Sequence, residues 1–179
     1  MARRHLALLR GINVGGKNRL PMETLRGLFA TAGCTDVETY IQSGNVVFHA
    51  PARKLKTLAG ELQAAIEAGL GLKVPVVLRS GDAWAEVAKA HLLAKGADPA
   101  FLHVVFRADV PDAKALAGLE ANRSPPDTFV VRGSEVYLHC PKGYGQSKLT
   151  NAWFDSKLST VSTVRNWRTV QELSALSET

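Results

Sequence analysis

The apolar run Leu6-Ala7-Leu8-Leu9, closed by Arg10, lacks the alternation of a half-exposed strand. It predicts a buried strand over His5–Arg10. Pro21 then opens a helix, where its missing N–H costs nothing. Met22, Leu25, Leu28, Phe29 and Ala32 fall on one face of it, and Gly33 ends it. Glu38–Gln42 and Val46–His49 predict strands around the turn Ser43-Gly44-Asn45. Leu55, Leu58, Leu62, Ala65 and Ile66 repeat at helical spacing, and Val74–Arg79 reads as the next strand. Asp82 is placed to cap a connecting helix carrying Trp84, Val87, Ala88 and His91. The pattern then starts again. Phe101–Arg107 reads as a strand and Ala113–Leu119 as a short helix. Phe129–Arg132 and Val136–Cys140 form a hairpin around Gly133-Ser134. Leu149–Leu158 is a helix, Thr160–Val164 a strand, and Thr169–Leu176 a final helix.

The order β-α-β-β-α-β thus occurs twice. It predicts an α+β protein of two ferredoxin-like (βαββαβ) halves packed as one compact unit, plus a connecting helix and a C-terminal helix. The expected boundaries are 1–80, 81–99 and 100–179. The letters repeat as well. Thr39-Tyr-Ile-Gln-Ser-Gly-Asn-Val-Val-Phe-His-Ala-Pro51 lines up with Thr128-Phe-Val-Val-Arg-Gly-Ser-Glu-Val-Tyr-Leu-His-Cys-Pro141 if one residue is inserted near Glu135. An internal duplication explains both repeats. The first and third strands of each half are expected to be central and parallel. The loops leaving their C-terminal ends would then share one edge of the sheet.

Composition adds limits. The chain has 179 residues, 46% apolar and 21% charged, enough for a sizeable core without a staple. Cys34 and Cys140 sit in no C-x-x-C pair and beside no spaced histidine cluster, so they read as buried side chains; no metal and no cofactor are expected. The N-terminal apolar run is too short for a signal peptide core, and no run reaches a membrane span, which points to a cytoplasmic protein with no membrane partner. Oligomeric state is not legible. The net charge of +6 is unevenly placed. Residues 1–26 hold six Arg or Lys against Glu23, and residues 142–168 hold five against Asp155. Such clustering suits a phosphate-bearing partner.

The halves differ in two places. Arg10 to Thr39 spans 29 positions, against 21 from Arg107 to Thr128. Much of the excess is the loop Gly11-Ile-Asn-Val-Gly-Gly-Lys-Asn-Arg19. The other departure is Lys142-Gly-Tyr-Gly-Gln-Ser-Lys148, inserted before a helix. Both are basic and glycine-rich, the composition that exposes backbone N–H groups to an anion. The candidate ligand-binding residues are therefore Arg10, Gly11, Asn13, Gly15, Gly16, Lys17 and Asn18 in the first segment. Ser147, as helix cap, Lys148 and Asn151 follow in the second. Ser43, Asn45, Arg165, Asn166 and Trp167 complete the set. The spacing after Gly143 fails the P-loop pattern. The histidines form no constellation, and His49 and His139 occupy matching hairpin positions. No serine or cysteine has an evident base. Asp36 and Asp155 are expected at the surface, and Tyr40 and Trp167 are candidates to stack on a base.

Several of these stretches together resemble a known family. Leu8-Leu-Arg-Gly-Ile-Asn-Val-Gly-Gly-Lys-Asn18, Leu25-Arg-x-Leu-Phe29, Thr39-Tyr-Ile-Gln-Ser-Gly-Asn-Val-Val-Phe48, Ser147-Lys-Leu-Thr-Asn151 and Thr163-Val-Arg-Asn-Trp167 resemble the domain of unknown function 1697 family. The resemblance implies two ferredoxin-like subdomains in a small, mostly bacterial protein and assigns no activity. Arg168 stands where many relatives are expected to carry Asn. Three functions follow as expectations. The first is binding of a nucleotide or nucleic acid through the basic loops. The second is an enzyme acting on a small phosphorylated or anionic metabolite. The third is a protein-interaction module using sheet edges and the helix near Trp84.

Overall fold

The computed structural model describes residues 3–178. Contacts divide the chain into two compact units. One holds the residues up to Ala85 together with those from Leu173 onward; the other holds Glu86–Glu172. Among the described residues the architecture is mixed α+β, with two four-stranded antiparallel sheets and six α-helices.

The first unit runs β1 (His5–Leu9), α1 (Met22–Thr31), β2 (Thr35–Tyr40), β3 (Asn45–His49), α2 (Leu55–Leu70) and β4 (Val76–Arg79). Its strand order is β2-β3-β1-β4. The core forms where α1 and α2 set their apolar faces on one side of the sheet. Leu25, Phe29, Leu58, Leu62 and Ile66 pack there with Ala7, Leu9, Val46 and Phe48. Leu6, Leu8 and Val47 point to the opposite face and are buried too, which is why the strands read as unbroken apolar runs. Arg4 is buried in this unit. It pairs with Glu38 at 3.1 Å and donates to the Leu176 carbonyl at 2.6 Å, so part of the N-terminal basic charge is spent on holding the chain's last residues.

The helix α3 (Gly81–Lys89) follows. Ser80, not Asp82, caps it, its Oγ accepting from Ala83 N at 3.2 Å. His91 lies beyond the helix end, outside the element the spacing gave it. Trp84 is fully buried and so presents no face to a partner chain.

The second unit runs β5 (Leu102–Arg107), α4 (Ala113–Ala117), β6 (Thr128–Arg132), β7 (Glu135–His139), α5 (Asn151–Leu158), β8 (Ser162–Asn166) and the start of α6 (Trp167–Ser177). The order is β6-β7-β5-β8. Val105, Val136 and Leu138 face Leu149, Trp153, Phe154 and Leu158 in its core.

Two expectations are corrected here. The central strands are antiparallel, β1 with β3 and β5 with β7. A hairpin joins the second and third strands of each sheet, so the third must run against the second. The crossover helix makes the first parallel to the second, with the third between them. Loops leaving the first and third strands therefore lie at opposite ends of their sheet. The letter match between hairpins is also displaced. Thr39 pairs with Val46, whereas the residue paired with Val136 is Val131, not Thr128. The turn Ile41–Gly44 separates β2 from β3, but Gly133 and Ser134 alone separate β6 from β7. The first turn is longer by two residues, a third departure between the halves.

Candidate functional site

At the C-terminal end of β1 the loop Gly11–Arg19 meets the turn Ile41–Gly44. Asn13 joins them. Its Nδ2 donates to the carbonyls of Leu20 and Gln42, both at 2.9 Å, and its Oδ1 accepts from Leu20 N at 2.9 Å. Asn18 Nδ2 closes the other side on the Gly11 carbonyl at 2.8 Å. Val14 and Lys17 form a small bridge across the tip. Ile12 and Leu20 are buried in the core and anchor both ends. The asparagines are thus occupied with shaping the loop. Gly11 and the tip from Val14 to Arg19 are exposed, and neither of its cations, Lys17 and Arg19, makes an ion pair among the described residues. Asn45 is buried, its Nδ2 donating to the Tyr40 carbonyl and to Ser43 Oγ. Arg10 is half-buried and its backbone N donates to the Pro75 carbonyl at 3.0 Å. Tyr40 is half-buried.

The segment Lys142–Lys148 leaves the end of β7 and contains a single 3-10 turn, Tyr144–Gln146. Lys142, Gly143, Gln146 and Lys148 line a cavity of about 240 Å³ with Ser124 and Asp127. Ser124 is buried and ties the wall together. It donates to Asp127 Oδ2 at 2.7 Å and accepts from Lys148 N at 3.0 Å. Gly143, between the two lysines, has φ of +90°, a conformation that favours glycine. Ser147 does not cap α5; its Oγ accepts from Leu149 N at 3.0 Å. Thr150 takes the cap, accepting from Trp153 N at 3.2 Å, because the helix starts only at Asn151.

The remaining candidates go elsewhere. Asn151 and Asp155 both accept from Ser162 Oγ, the latter at 2.6 Å, so Asp155 is half-buried rather than a surface acid. Asp36 is exposed. Arg165 lies on β8, donating to Thr163 Oγ1 and the Val164 carbonyl, both at 2.8 Å; burial pulls its pKa down to about 10. Asn166 Oδ1 accepts from Thr169 N at 2.8 Å and caps α6. Trp167 opens that helix and lines, with Asn166, a groove of about 900 Å³ in the same unit.

A model of proteins of unknown function, DUF1697, matches residues 2–137. The chain belongs to that family. No curated protein matches it. Among solved structures, the conserved bacterial protein SP0830 from Streptococcus pneumoniae shares the fold, with a TM-score of 0.76 over 100% of both chains at 21% identity.

In this DUF1697 protein no group of three or more His, Cys, Asp or Glu is arranged to hold a metal, among the described residues. Both cysteines are buried, and burial pushes the Cys140 thiol up to about 11 and raises that of Cys34. No helix among the described residues is long and apolar enough to cross a membrane. Sequence reasoning missed Gln42, Ser124 and Asp127. Gln42 and Ser124 each meet a residue far away in sequence, Asp127 meets Ser124 three positions away, and the Ser-Pro-Pro-Asp run signals only a turn.

Proposed function

We propose that this protein binds a phosphate-bearing ligand, a nucleotide or a nucleic acid, with one phosphate seated between Lys142 and Lys148. The observation that carries this reading is that two lysines, Lys142 and Lys148, both line one cavity. At about 240 Å³ the cavity falls below the size that encloses a whole drug-sized ligand, so it suits a single group of a larger molecule. Two lysines against Asp127 leave the lining with a net charge of +1, the complement of a phosphodiester. Gly15, Gly16, Lys17 and Arg19 supply a second exposed basic surface in the other unit. In this reading each half is a ferredoxin-like unit and the pair arose by duplication; the same strand order in both sheets supports it.

The test is a thermal-shift series with nucleoside phosphates, phosphorylated metabolites and mixed oligonucleotides at low salt. A ligand that favours the native state raises the melting point. At least one phosphate compound should do so, and Lys142→Gln/Lys148→Gln should lose the shift. Oligonucleotide binding should weaken steeply as salt rises, whereas a small nucleotide should respond less. No shift with any phosphate compound, or an equal shift in the double variant, would sink this reading.

A further inference from the structure

The larger groove, of about 900 Å³, belongs wholly to the Glu86–Glu172 unit. Small apolar residues line it, among them Ala88, Ala94, Pro99 and Ala100. One wall is aromatic. Trp167 stands edge-on to His91 with ring centroids 5.1 Å apart, and His91 stands edge-on to Tyr137 at the same separation. His91 is locked in place. Its Nε2 donates to the His103 carbonyl at 2.9 Å, and its Nδ1 accepts from Leu93 N at 3.2 Å. Both ring nitrogens are occupied, which selects the neutral tautomer, and burial lowers the pKa in the same direction. The histidine is therefore a rigid apolar support for Trp167 and not an acid or base.

Two cations, Lys89 and Arg168, and one acid, Glu172, line the groove. Lys89 is paired with Glu86. Arg168 is exposed and makes no ion pair among the described residues, although Glu172 follows one turn later. Arg168 also stands in the first turn of α6, which contains no acid. A cation at the positive end of a helix is unfavourably placed, and an anion beside it is favoured by both the guanidinium and the helix.

We propose that this groove is a binding site for a small aromatic anion, its ring against Trp167 and its carboxylate or phosphate on Arg168. The volume lies within the range of small-molecule sites, and an apolar body with a few polar contacts is how such sites are built. Guanidinium binds either anion in a bidentate manner, so the anionic group is left to experiment. The site is separate from the lysine cavity and does not depend on it.

The protein has three tryptophans, and Trp84 and Trp153 are buried at 0% and 9% exposure. The Trp167 indole N–H is therefore the reporter in a two-dimensional NMR titration. The probes are 1-naphthyl phosphate and 1-naphthoate, with neutral 1-naphthalenemethanol and inorganic phosphate as controls. At least one naphthyl anion should shift the Trp167 signal saturably while the other two indoles stay in place. The controls should bind at least about tenfold more weakly, as should Arg168→Gln, which loses the charged hydrogen bonds to the anion. Ala100→Trp, which fills the groove from an exposed position, should abolish the shift. Unmoved Trp84 and Trp153 signals report that each variant is folded. Lys142→Gln/Lys148→Gln should bind as the parent does. A Trp167 signal that neither anion moves, or a response that survives both Arg168→Gln and Ala100→Trp, overturns the proposal.

Discussion

Asn13 organises the Gly11–Arg19 loop, and it does so at φ of +53°, in the left-handed region that asparagine tolerates. Replacing it with alanine removes three hydrogen bonds, two of them to Leu20, and leaves carbonyl groups without that donor. Asn13→Ala should cost about 1–3 kcal/mol, read from the urea midpoint. Lys17→Ala/Arg19→Ala should change stability by no more than about 0.5 kcal/mol, because both side chains are exposed and unpaired. Equal stability of Asn13→Ala and the parent would show that the loop is not held by this side chain. At this scale the sequence was only half legible. Composition marked the loop as basic and surface-exposed, and exposure of Gly15 to Arg19 agrees. It could not separate Asn13 and Asn18, which bond back to the loop, from residues open to a ligand. The deciding partner, Gln42, is 29 positions away.

Turns show how the same element is built twice with different demands. Gly44 has φ of +80°, and a Cβ there would lie 2.7 Å from Leu9 Cβ, an atom fixed by the central strand. Gly133, in the corresponding turn, has φ of +59° but meets nothing closer than 3.8 Å. Gly133→Ala should therefore cost about 1–2 kcal/mol from backbone conformation alone, and Gly44→Ala distinctly more. Denaturant midpoints of the two variants check the order; an equal loss would mean that the contact with Leu9 relaxes freely. The existence and type of the elements were readable from apolar spacing, since the strands β1, β3 and β5 are continuous hydrophobic runs. Their ends were less so. Ser80 and Thr150 outcompete Asp82 and Ser147 as caps because the cap is set by where the helical backbone begins, not by side-chain type alone. Strand direction was misjudged for a different reason: apolar periodicity carries no sign of direction, and only the hairpin constraint fixes it.

Across the molecule, charge and burial set the response to pH. His91 and His103 both have pKa values lowered by burial, so the folded state resists protonation. The unfolded chain, with histidines near about 6.5, takes up protons first as pH falls. Stability should thus be full above that value and decline below it, with a falling melting temperature between about pH 7 and 5. A flat profile over that window would show that the two rings accept protons without strain. The net charge of +6 pointed to a basic protein, but not to which cations are available. Arg4 and Arg165 are engaged within the fold, whereas Lys142 and Lys148 line a cavity. That cavity is the centre of the functional account. Its most direct test is a backbone amide NMR titration of the whole protein with ADP and with a mixed oligonucleotide. Saturable shifts should appear at Lys142, Gly143 and Gln146 with at least one of them, and vanish in Lys142→Gln/Lys148→Gln. Amides there that stay still at millimolar ADP and with the oligonucleotide, or that move equally in the double variant, would contradict it.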